Sequence, residues 1–197
     1  MNRKSAIILI VSVAVTVMVA VAVFVIVRRR DSSRKTGRGL VRYARSQLGR
    51  PYWWGTNGQT ASQELLDKKR EQWPGIYYIG GQYDDAPSQF GQRVHDCAGL
   101  IEAYMWSDGT KDGKVVPGSN GFPDTTADAI LANAIESGPI NTLPEIPGIA
   151  VHKSGHVGVY AGHGKVIEAK GHRWGVVMTD LATGGWQNWA KVKGIEY

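Results

Sequence analysis

The residue best suited to chemistry is Cys97, the only cysteine in the 197-residue chain. It follows Asp96, a favourable N-cap, and precedes apolar residues at helical spacing, so we predict Cys97 in the first turn of a helix. Unpaired N–H groups and the helix dipole favour a thiolate there, and we expect a lowered thiol pKa. A lone cysteine is either an inert buried thiol or a nucleophile that needs a base.

A base and a carboxylate are predicted on a β-hairpin. Residues 156–161 and 165–169 have the period-two pattern of strands and are joined by a glycine-containing turn. If the chain reverses about Gly162, His156 lies directly opposite Glu168. Directly opposed residues point to the same side of a sheet, so the two side chains are expected to meet.

The alternation of side chains supports this pairing. A slip of one residue would place Glu168 among valines, which is costly for a carboxylate. Gly158, beside His156, is expected to leave room for a helix to approach. One alternative stays open, in which His156 and Glu168 are a cross-strand polar pair without a catalytic role.

The elements that position these residues form an α+β pattern, with helices first and antiparallel strands after. Helical patterns cover residues 40–48, 60–72, 97–106 and 127–136, the second opened by Thr60 as its cap. Strand patterns cover residues 149–153, 156–161, 165–169 and 175–179. Residues 76–93 form an irregular loop, long enough to suggest a lid or a groove wall.

The amino-terminal segment predicts a membrane anchor. Residues 6–27 carry no charge and are long enough to cross a bilayer as a helix. A cleaved signal peptide is the alternative, but no convincing cleavage site precedes the three arginines at 28–30. We therefore predict a cytoplasmic tail at 1–5, a signal anchor at 6–27, a basic juxtamembrane linker at 28–39 and a domain at 40–197.

The net charge of +6 is concentrated before that domain. Residues 1–38 hold eight Lys or Arg and one Asp, whereas residues 39–197 hold fifteen basic and sixteen acidic residues. The domain is therefore nearly neutral, and nucleic acid is not an expected partner. Two basic residues precede the span and six follow it, so the positive-inside rule alone would leave the domain in the cytoplasm.

Several aromatic residues have two possible roles. They could stack on sugar or line a groove, or they could pack the core and anchor loops, which is the commoner role. These residues are Trp53, Trp54, Tyr77, Tyr78 and Tyr83, whereas Trp186 and Trp189 are expected to be packing residues.

Four blocks of the chain resemble, in order, the motifs of NlpC-type cell-wall cysteine peptidases, the circularly rearranged relatives of papain. The blocks are PYWWG at 51–55, DCAGL at 96–100, GHVGVY at 155–160 and VIEA at 166–169. The resemblance spans residues 40–197. It is closest to the branch of Gram-positive bacteria and their mobile elements, in which the third catalytic residue is Glu.

That resemblance implies a papain-like fold, with amino-terminal helices packed on a central antiparallel sheet. The apolar run at 6–27 adds one predicted transmembrane helix before this fold. The resemblance implies Cys97 as nucleophile, His156 as base and Glu168 as the residue that orients the base. Tyr52 would help to hold the oxyanion, and Asp96 is grouped with it as an oxyanion or substrate residue. The implied reaction is hydrolysis of an amide in peptidoglycan stem peptides, typically D-γ-glutamyl to diamino acid.

The chain departs from the family pattern in two places. Ala98 stands where the family often has a serine that helps to recognise the amino end of the stem peptide, and the stretch between residues 58 and 95 is longer than in minimal members. No cofactor is expected. His95 beside Asp96 could be mistaken for a metal ligand, but one cysteine and no paired histidine spacing make a metal site an unfavoured interpretation.

A wall hydrolase must lie where its polymer is. The resemblance therefore favours a single-pass protein of the cell membrane, with the catalytic domain on the wall side, against the charge rule. Two other functions stay open: an amidase or lipid acyltransferase on the same scaffold, and a non-catalytic protein of wall binding or assembly. The sequence leaves the oligomeric state open.

Overall fold

An antiparallel sheet of six strands lies at the centre of the chain. The computed structural model describes Met18 and residues 34–197. The strands are β1 (Asn57–Thr60), β2 (Arg93–His95), β3 (Glu136–Pro139), β4 (Ala150–Lys153), β5 (His156–Gly162), β6 (Lys165–Gly171), β7 (Gly175–Asp180) and β8 (Asn188–Lys191). The large sheet has the order β3–β8–β4–β5–β6–β7, and β1 pairs separately with β2.

Four α-helices accompany the sheet in residues 34–197. They are α1 (Gly37–Ser46), α2 (Gln63–Gln72), α3 (Cys97–Met105) and α4 (Ala127–Ala132). A buried cluster joins α1 and α3 to one face of β5 and β6, and it includes Leu40, Tyr43, Leu100, Ile101, Val157, Val159, Ile167 and Ala169. The predicted α+β class with an antiparallel sheet is confirmed.

Helix α1 begins before its predicted start at residue 40. Thr36 caps it, because the Thr36 side chain accepts a hydrogen bond from the Gly39 N–H. Gly39, which the sequence placed in the linker, is needed here because a Cβ at this position would lie 2.3 Å from the Tyr104 hydroxyl oxygen. The boundary predicted at residues 39 and 40 therefore falls inside a helix.

Two other helix boundaries also differ from the prediction. Helix α2 begins at Gln63 with Ser62 as its cap, whereas Thr60, the predicted cap, belongs to β1. Helix α4 begins after Thr126 as expected but ends at Ala132, because the chain then enters β3, which pairs with β8. Pairing with a distant strand outweighs the local helical pattern there.

The β5–β6 hairpin turns at His163 and Gly164 rather than at Gly162. Both turn residues have positive φ angles, 53° and 68°. Positive φ at both central positions characterises the two-residue turn whose twist matches that of the strands. The register also shifts between Tyr160 and Gly162.

This turn moves the strand register by two residues. Val159 lies opposite Ile167, so His156 is not directly opposite Glu168 as predicted. A shift of two residues keeps every side chain on its predicted face, because the side-chain period of a strand is two. His156 and Glu168 therefore become diagonal neighbours on the same face.

Residues 35–197 form one compact unit. The membrane span predicted for residues 6–27 lies outside the described residues, apart from Met18. Among the residues described, no helix is both long and apolar enough to span a membrane.

Candidate active site

Cys97 is the first residue of α3, as predicted. Asp96 caps the helix, with its Oδ1 accepting from the Gly99 N–H at 2.7 Å. Its Oδ2 accepts from the Gly55 N–H at 2.9 Å, which ties the loop after Tyr52 to the helix start. Both oxygens of the Asp96 carboxylate are therefore engaged in positioning backbone.

The environment of Cys97 differs from the expected one. Burial and the nearby charge of Asp96 raise the pKa of the Cys97 thiol to about 12, although the N–H groups of Val157, Ala98 and Cys97 itself act in the opposite direction. The predicted lowering of the thiol pKa is therefore wrong for the folded protein without substrate. Helix-start N–H groups are present, but they do not compensate for desolvation, and the group is a neutral thiol at pH 7.

His156 and Glu168 form a direct hydrogen bond. The His156 Nε2 lies 2.7 Å from Glu168 Oε2, and the Thr179 hydroxyl donates to Glu168 Oε1 at 2.6 Å. Glu168 is 2% exposed. Burial would raise its pKa, but the hydrogen bonds from His156 and Thr179 outweigh that effect and the pKa lies below its ordinary value. The carboxylate is ionised at neutral pH and held from both sides.

Trp186 covers the His156 ring. The two rings stack with centroids 5.5 Å apart and planes 15° apart. Gly158 makes room for this indole, because a Cβ there would lie 2.6 Å from Val166 Cγ1 and 3.0 Å from the Trp186 ring. The expectation that Gly158 admits a helix is wrong, since the residue that approaches it is Trp186.

Cys97 lies beside the strand that carries His156. Its Sγ is 4.0 Å from the Gly155 carbonyl oxygen, and the Val157 N–H acts on the same sulfur. Contacts of the sulfur thus fall on the residues before and after His156. Within residues 34–197, no hydrogen bond joins the sulfur to the imidazole; catalytic hydrogen bonds often tighten only when substrate binds.

A cavity of about 450 Å³ opens at Cys97. Its lining includes Tyr52, Trp54, Gln72, Trp73, Glu102, Asp124, Asp128 and Gly155 beside Asp96 and Cys97. Tyr52 is buried, which raises its hydroxyl pKa, and burial also raises the pKa of Asp96 to about 6. The two residues grouped as oxyanion or substrate residues therefore lie in the same cavity as the thiol.

Glu102 is a cavity residue that the sequence did not single out. It is 2% exposed on α3, and its Oε1 accepts from the Thr125 N–H at 2.6 Å. Burial raises the pKa of Glu102 to about 8. Its signal in the sequence is a glutamate within the apolar pattern of residues 97–106.

Replacing Glu102 with Gln is expected to stabilise the protein at high pH and to have little effect near pH 4.5. The folded state keeps a proton that the unfolded chain releases near 4.5, so stability falls as the pH rises from about 4.5 through about 8. We expect a gain of about 1–3 kcal/mol in the free energy of unfolding at pH 8.5. Urea unfolding of the full chain in detergent, followed by fluorescence at about pH 4.5 and about pH 8.5, measures this difference in the free energy of unfolding. Exposed Glu71→Gln is the control, and an equal gain at both pH values would contradict the burial effect.

Asp128 fastens the turn that leads into β5. Its Oδ1 accepts from His152 Nε2 at 2.7 Å and from the Gly155 N–H at 2.9 Å. Those hydrogen bonds hold the pKa of Asp128 below its ordinary value. Because Gly155 contacts the Cys97 sulfur and precedes His156, Asp128 positions both groups from α4.

The Asp128→Ala variant is expected to lose about 10-fold in kcat/KM, since a displaced catalytic group costs up to about 100-fold. Asp128→Asn keeps an acceptor for the Gly155 N–H and is expected to stay within about 3-fold of the wild type. If Cys97 acts as a nucleophile, steady-state kinetics of its reaction with one and the same substrate measures both variants, and the loss is expected in kcat. Equal kcat values for the alanine variant and the wild type would exclude the positioning role.

The aromatic residues divide between packing and surface. Trp53, Tyr77 and Tyr83 are buried in one cluster, in which the two tyrosines stack with centroids 4.1 Å apart. Trp54 and Tyr78 are exposed. The packing interpretation therefore holds for three of the five residues.

His95 is a buried core residue. Its Nε2 lies 3.2 Å from Gln47 Oε1, and its ring packs edge-on against Tyr43. Burial lowers the pKa of His95 to about 3, so the ring is neutral. Within the described part of the chain, no group of three or more His, Cys, Asp or Glu side chains is arranged to hold a metal ion.

Among known proteins, solved structures of low sequence identity are similar to this chain. No family model matches the chain, and no curated protein matches it. Similar solved structures include the peptidoglycan hydrolase RipB from Mycobacterium tuberculosis, with 22% identity and a TM-score of 0.47 over 85% of this chain and 67% of that one. NlpC2 from Trichomonas vaginalis has 17% identity and a TM-score of 0.47 over 79% of this chain.

The P60 domain of an antigen from M. avium subspecies paratuberculosis has 22% identity and a TM-score of 0.45, over 82% of this chain and 98% of that domain. This chain spans 46% of the length of the NlpC2 structure. At these values the likeness assigns neither a family nor an activity to this chain.

Proposed function

We propose that the chain is a peptidoglycan hydrolase that works as a cysteine peptidase. The observation that carries the proposal is the hydrogen bond between His156 and the buried carboxylate of Glu168, because the two chain neighbours of His156, Gly155 and Val157, contact the Cys97 sulfur. A nucleophile, a base and a group that orients the base are the minimum set for acyl transfer through a thiol.

The hydrogen bond also assigns the proton positions. Ionised Glu168 can only accept, so Nε2 of His156 carries a proton. In a neutral ring the other nitrogen, Nδ1, then has the free lone pair and is the atom that accepts the Cys97 proton. A thiol with a pKa near 12 is neutral in the resting state, so we propose that His156 removes its proton as a general base while the sulfur attacks an electrophile.

The reaction then follows the acyl-enzyme route. The Cys97 sulfur attacks the amide carbonyl, and the imidazolium of His156 gives its proton to the leaving amine. The backbone N–H of Cys97 and the hydroxyl of Tyr52 are the proposed donors to the oxyanion, and each such donor can contribute about 10²–10³-fold. Water, deprotonated by His156, hydrolyses the thioester and restores the thiol.

Peptidoglycan is the proposed substrate because the four sequence blocks resemble wall peptidases. The cavity favours an amide substrate over a phospholipid, since Asp96, Asp124 and Asp128 outnumber Lys69 in its lining and together repel a phosphate group. The proposed bond is D-γ-glutamyl to diamino acid. An amidase or a lipid acyltransferase would place a different acyl group on the same sulfur.

Incubation of the full chain with defined muropeptides tests this function, with the products identified by mass spectrometry. We expect cleavage within the stem peptide. Release of the whole peptide from the sugar would instead indicate an amidase, and a lipid acyl group on Cys97 a transferase. Absence of any product, together with full complementation of a deletion strain by Cys97→Ala, would favour a non-catalytic wall protein.

We also propose that residues 6–27 anchor the chain in the cell membrane with residues 40–197 on the wall side. The proposal follows from the apolar run and from the location of the polymer. Protease added to intact cells should digest the domain; a fully protected domain would place it in the cytoplasm.

A further inference from the structure

The rim of the Cys97 cavity carries two exposed tryptophans. Trp54 is 42% and Trp73 is 43% exposed, and both line the cavity. Gly55 follows Trp54 in the chain and lies beside the Trp73 indole, because Trp73 Nε1 is 3.1 Å from the position that a Cβ on Gly55 would take. Two exposed aromatic side chains that line one cavity form the kind of apolar surface that binds ligands.

Hydrogen bonds hold the backbone of both tryptophans. The Trp54 N–H donates to the Tyr83 hydroxyl at 2.9 Å, and the Trp54 carbonyl accepts from the Tyr77 hydroxyl at 2.7 Å. Trp73 ends α2, with its N–H donating to the Lys69 carbonyl at 2.8 Å. Their backbones are therefore organised before any ligand arrives, which lowers the entropic cost of binding.

Polar groups surround the two indoles. The ammonium of Lys69, 7% exposed, donates to the Gly55 carbonyl and to Gln72 Oε1. Gln72, Asn57 and Asp124 line the same cavity. Apolar ring faces beside amides and a carboxylate match a pyranose, whose C–H groups pack on an indole while its hydroxyls hydrogen-bond at the edges.

We propose that Trp54 and Trp73 form a subsite for a neutral sugar ring, so that the enzyme acts on stem peptides still attached to the glycan. The inference rests on the proposed function. The Gly55 N–H bond to Asp96 places this subsite next to the residue that precedes Cys97. Asp96, Asp124 and Asp128 outnumber the one lysine, Lys69, in the cavity lining, so a neutral saccharide is favoured there over an anionic lipid or polymer.

The test compares two substrates with the same peptide, one linked to the disaccharide and one free. For the full chain in detergent, Trp54→Ala and Trp73→Ala are each expected to lower kcat/KM for the linked substrate about 5- to 10-fold, and for the free peptide less than about 2-fold. Trp174→Ala is the matched control, because Trp174 is exposed but does not line the cavity. Equal losses on both substrates, or no loss on either, would overturn the sugar subsite.

A binding measurement separates this inference from the proposed function. Titration of a neutral disaccharide of N-acetylglucosamine into the wild type and into the Trp54→Ala, Trp73→Ala double variant needs no catalysis. Saturable binding to the wild type, lost in the double variant and kept in Trp174→Ala, supports the subsite even if neither substrate is cleaved. Absence of binding to the wild type overturns it, and cleavage of the free peptide alone would leave only the proposed function.

Discussion

Cys97→Ser is expected to abolish release of stem-peptide fragments from purified wall, with kcat/KM lowered about 10⁴-fold or more. A serine hydroxyl is a far weaker nucleophile than a thiol unless its own base and oxyanion site are matched to it. The residue begins α3 beside its Asp96 cap, and the substitution removes no capping group. We therefore expect the fold to be retained.

The measurement is fragment release followed by chromatography and mass spectrometry. The unfolding midpoint of each variant provides the control for folding. Ser107→Ala is the matched control for a small change of side chain, because Ser107 does not line the Cys97 cavity. Fragment release by Cys97→Ser within about 10-fold of the wild type would exclude the sulfur as the nucleophile.

His156→Gln is expected to lower kcat/KM about 10²–10⁴-fold. The glutamine amide can still donate to the Glu168 carboxylate, so that the buried charge keeps a partner, but it cannot accept the thiol proton at neutral pH. This substitution therefore separates loss of the base from loss of stability. Kinetics on a defined muropeptide, with the unfolding midpoint measured in parallel, provides both readouts.

Glu168→Gln gives the comparison for His156→Gln. Its amide oxygen still accepts from the imidazole N–H, so we expect a smaller loss, about 10-fold, because orienting the base is a secondary role. A loss at Glu168 equal to that at His156, without destabilisation, would show that the negative charge itself is required. An unchanged kcat/KM for His156→Gln would show that His156 and Glu168 are a structural cross-strand pair without a catalytic role.

The hairpin shows what sequence pattern can and cannot provide. Alternation along residues 156–161 and 165–169 placed His156 and Glu168 on one face, and they meet. The pattern did not locate the turn, which depends on the left-handed conformation of His163 as well as Gly164. An error of two residues in the pairing leaves every side chain on its predicted face but changes its partner on the opposite strand, because side chains alternate with a period of two.

The position of Thr179 beside Glu168 also follows from strand pairing. Glu168 lies opposite Val177 in the β6–β7 pairing, and Thr179 is two residues further along the same face. The hydrogen bond from Thr179 to Glu168 was therefore accessible from the predicted strands. The β5–β6 hairpin alone does not reveal it, because Thr179 lies on the next strand.

Trp186 and Asp128 could not be found in this way. Each reaches the site from an element distant in sequence, Trp186 from the segment before β8 and Asp128 from α4. The prediction of a lowered thiol pKa for Cys97 was wrong for a related reason. Desolvation depends on the three-dimensional surroundings of the sulfur, which the position at a helix start does not reveal. Local patterns predicted the catalytic candidates, whereas their surroundings required the fold.

The rate at which iodoacetamide alkylates Cys97 tests most directly whether the imidazole activates the sulfur. Because Cys97 is the only cysteine, all thiol labelling of the full chain reports on this site. At pH 7.5 we expect the wild type to react about 10-fold or more faster than His156→Gln, with Glu168→Gln between the two. Equal rates for the three proteins would contradict activation of Cys97 by His156 and Glu168.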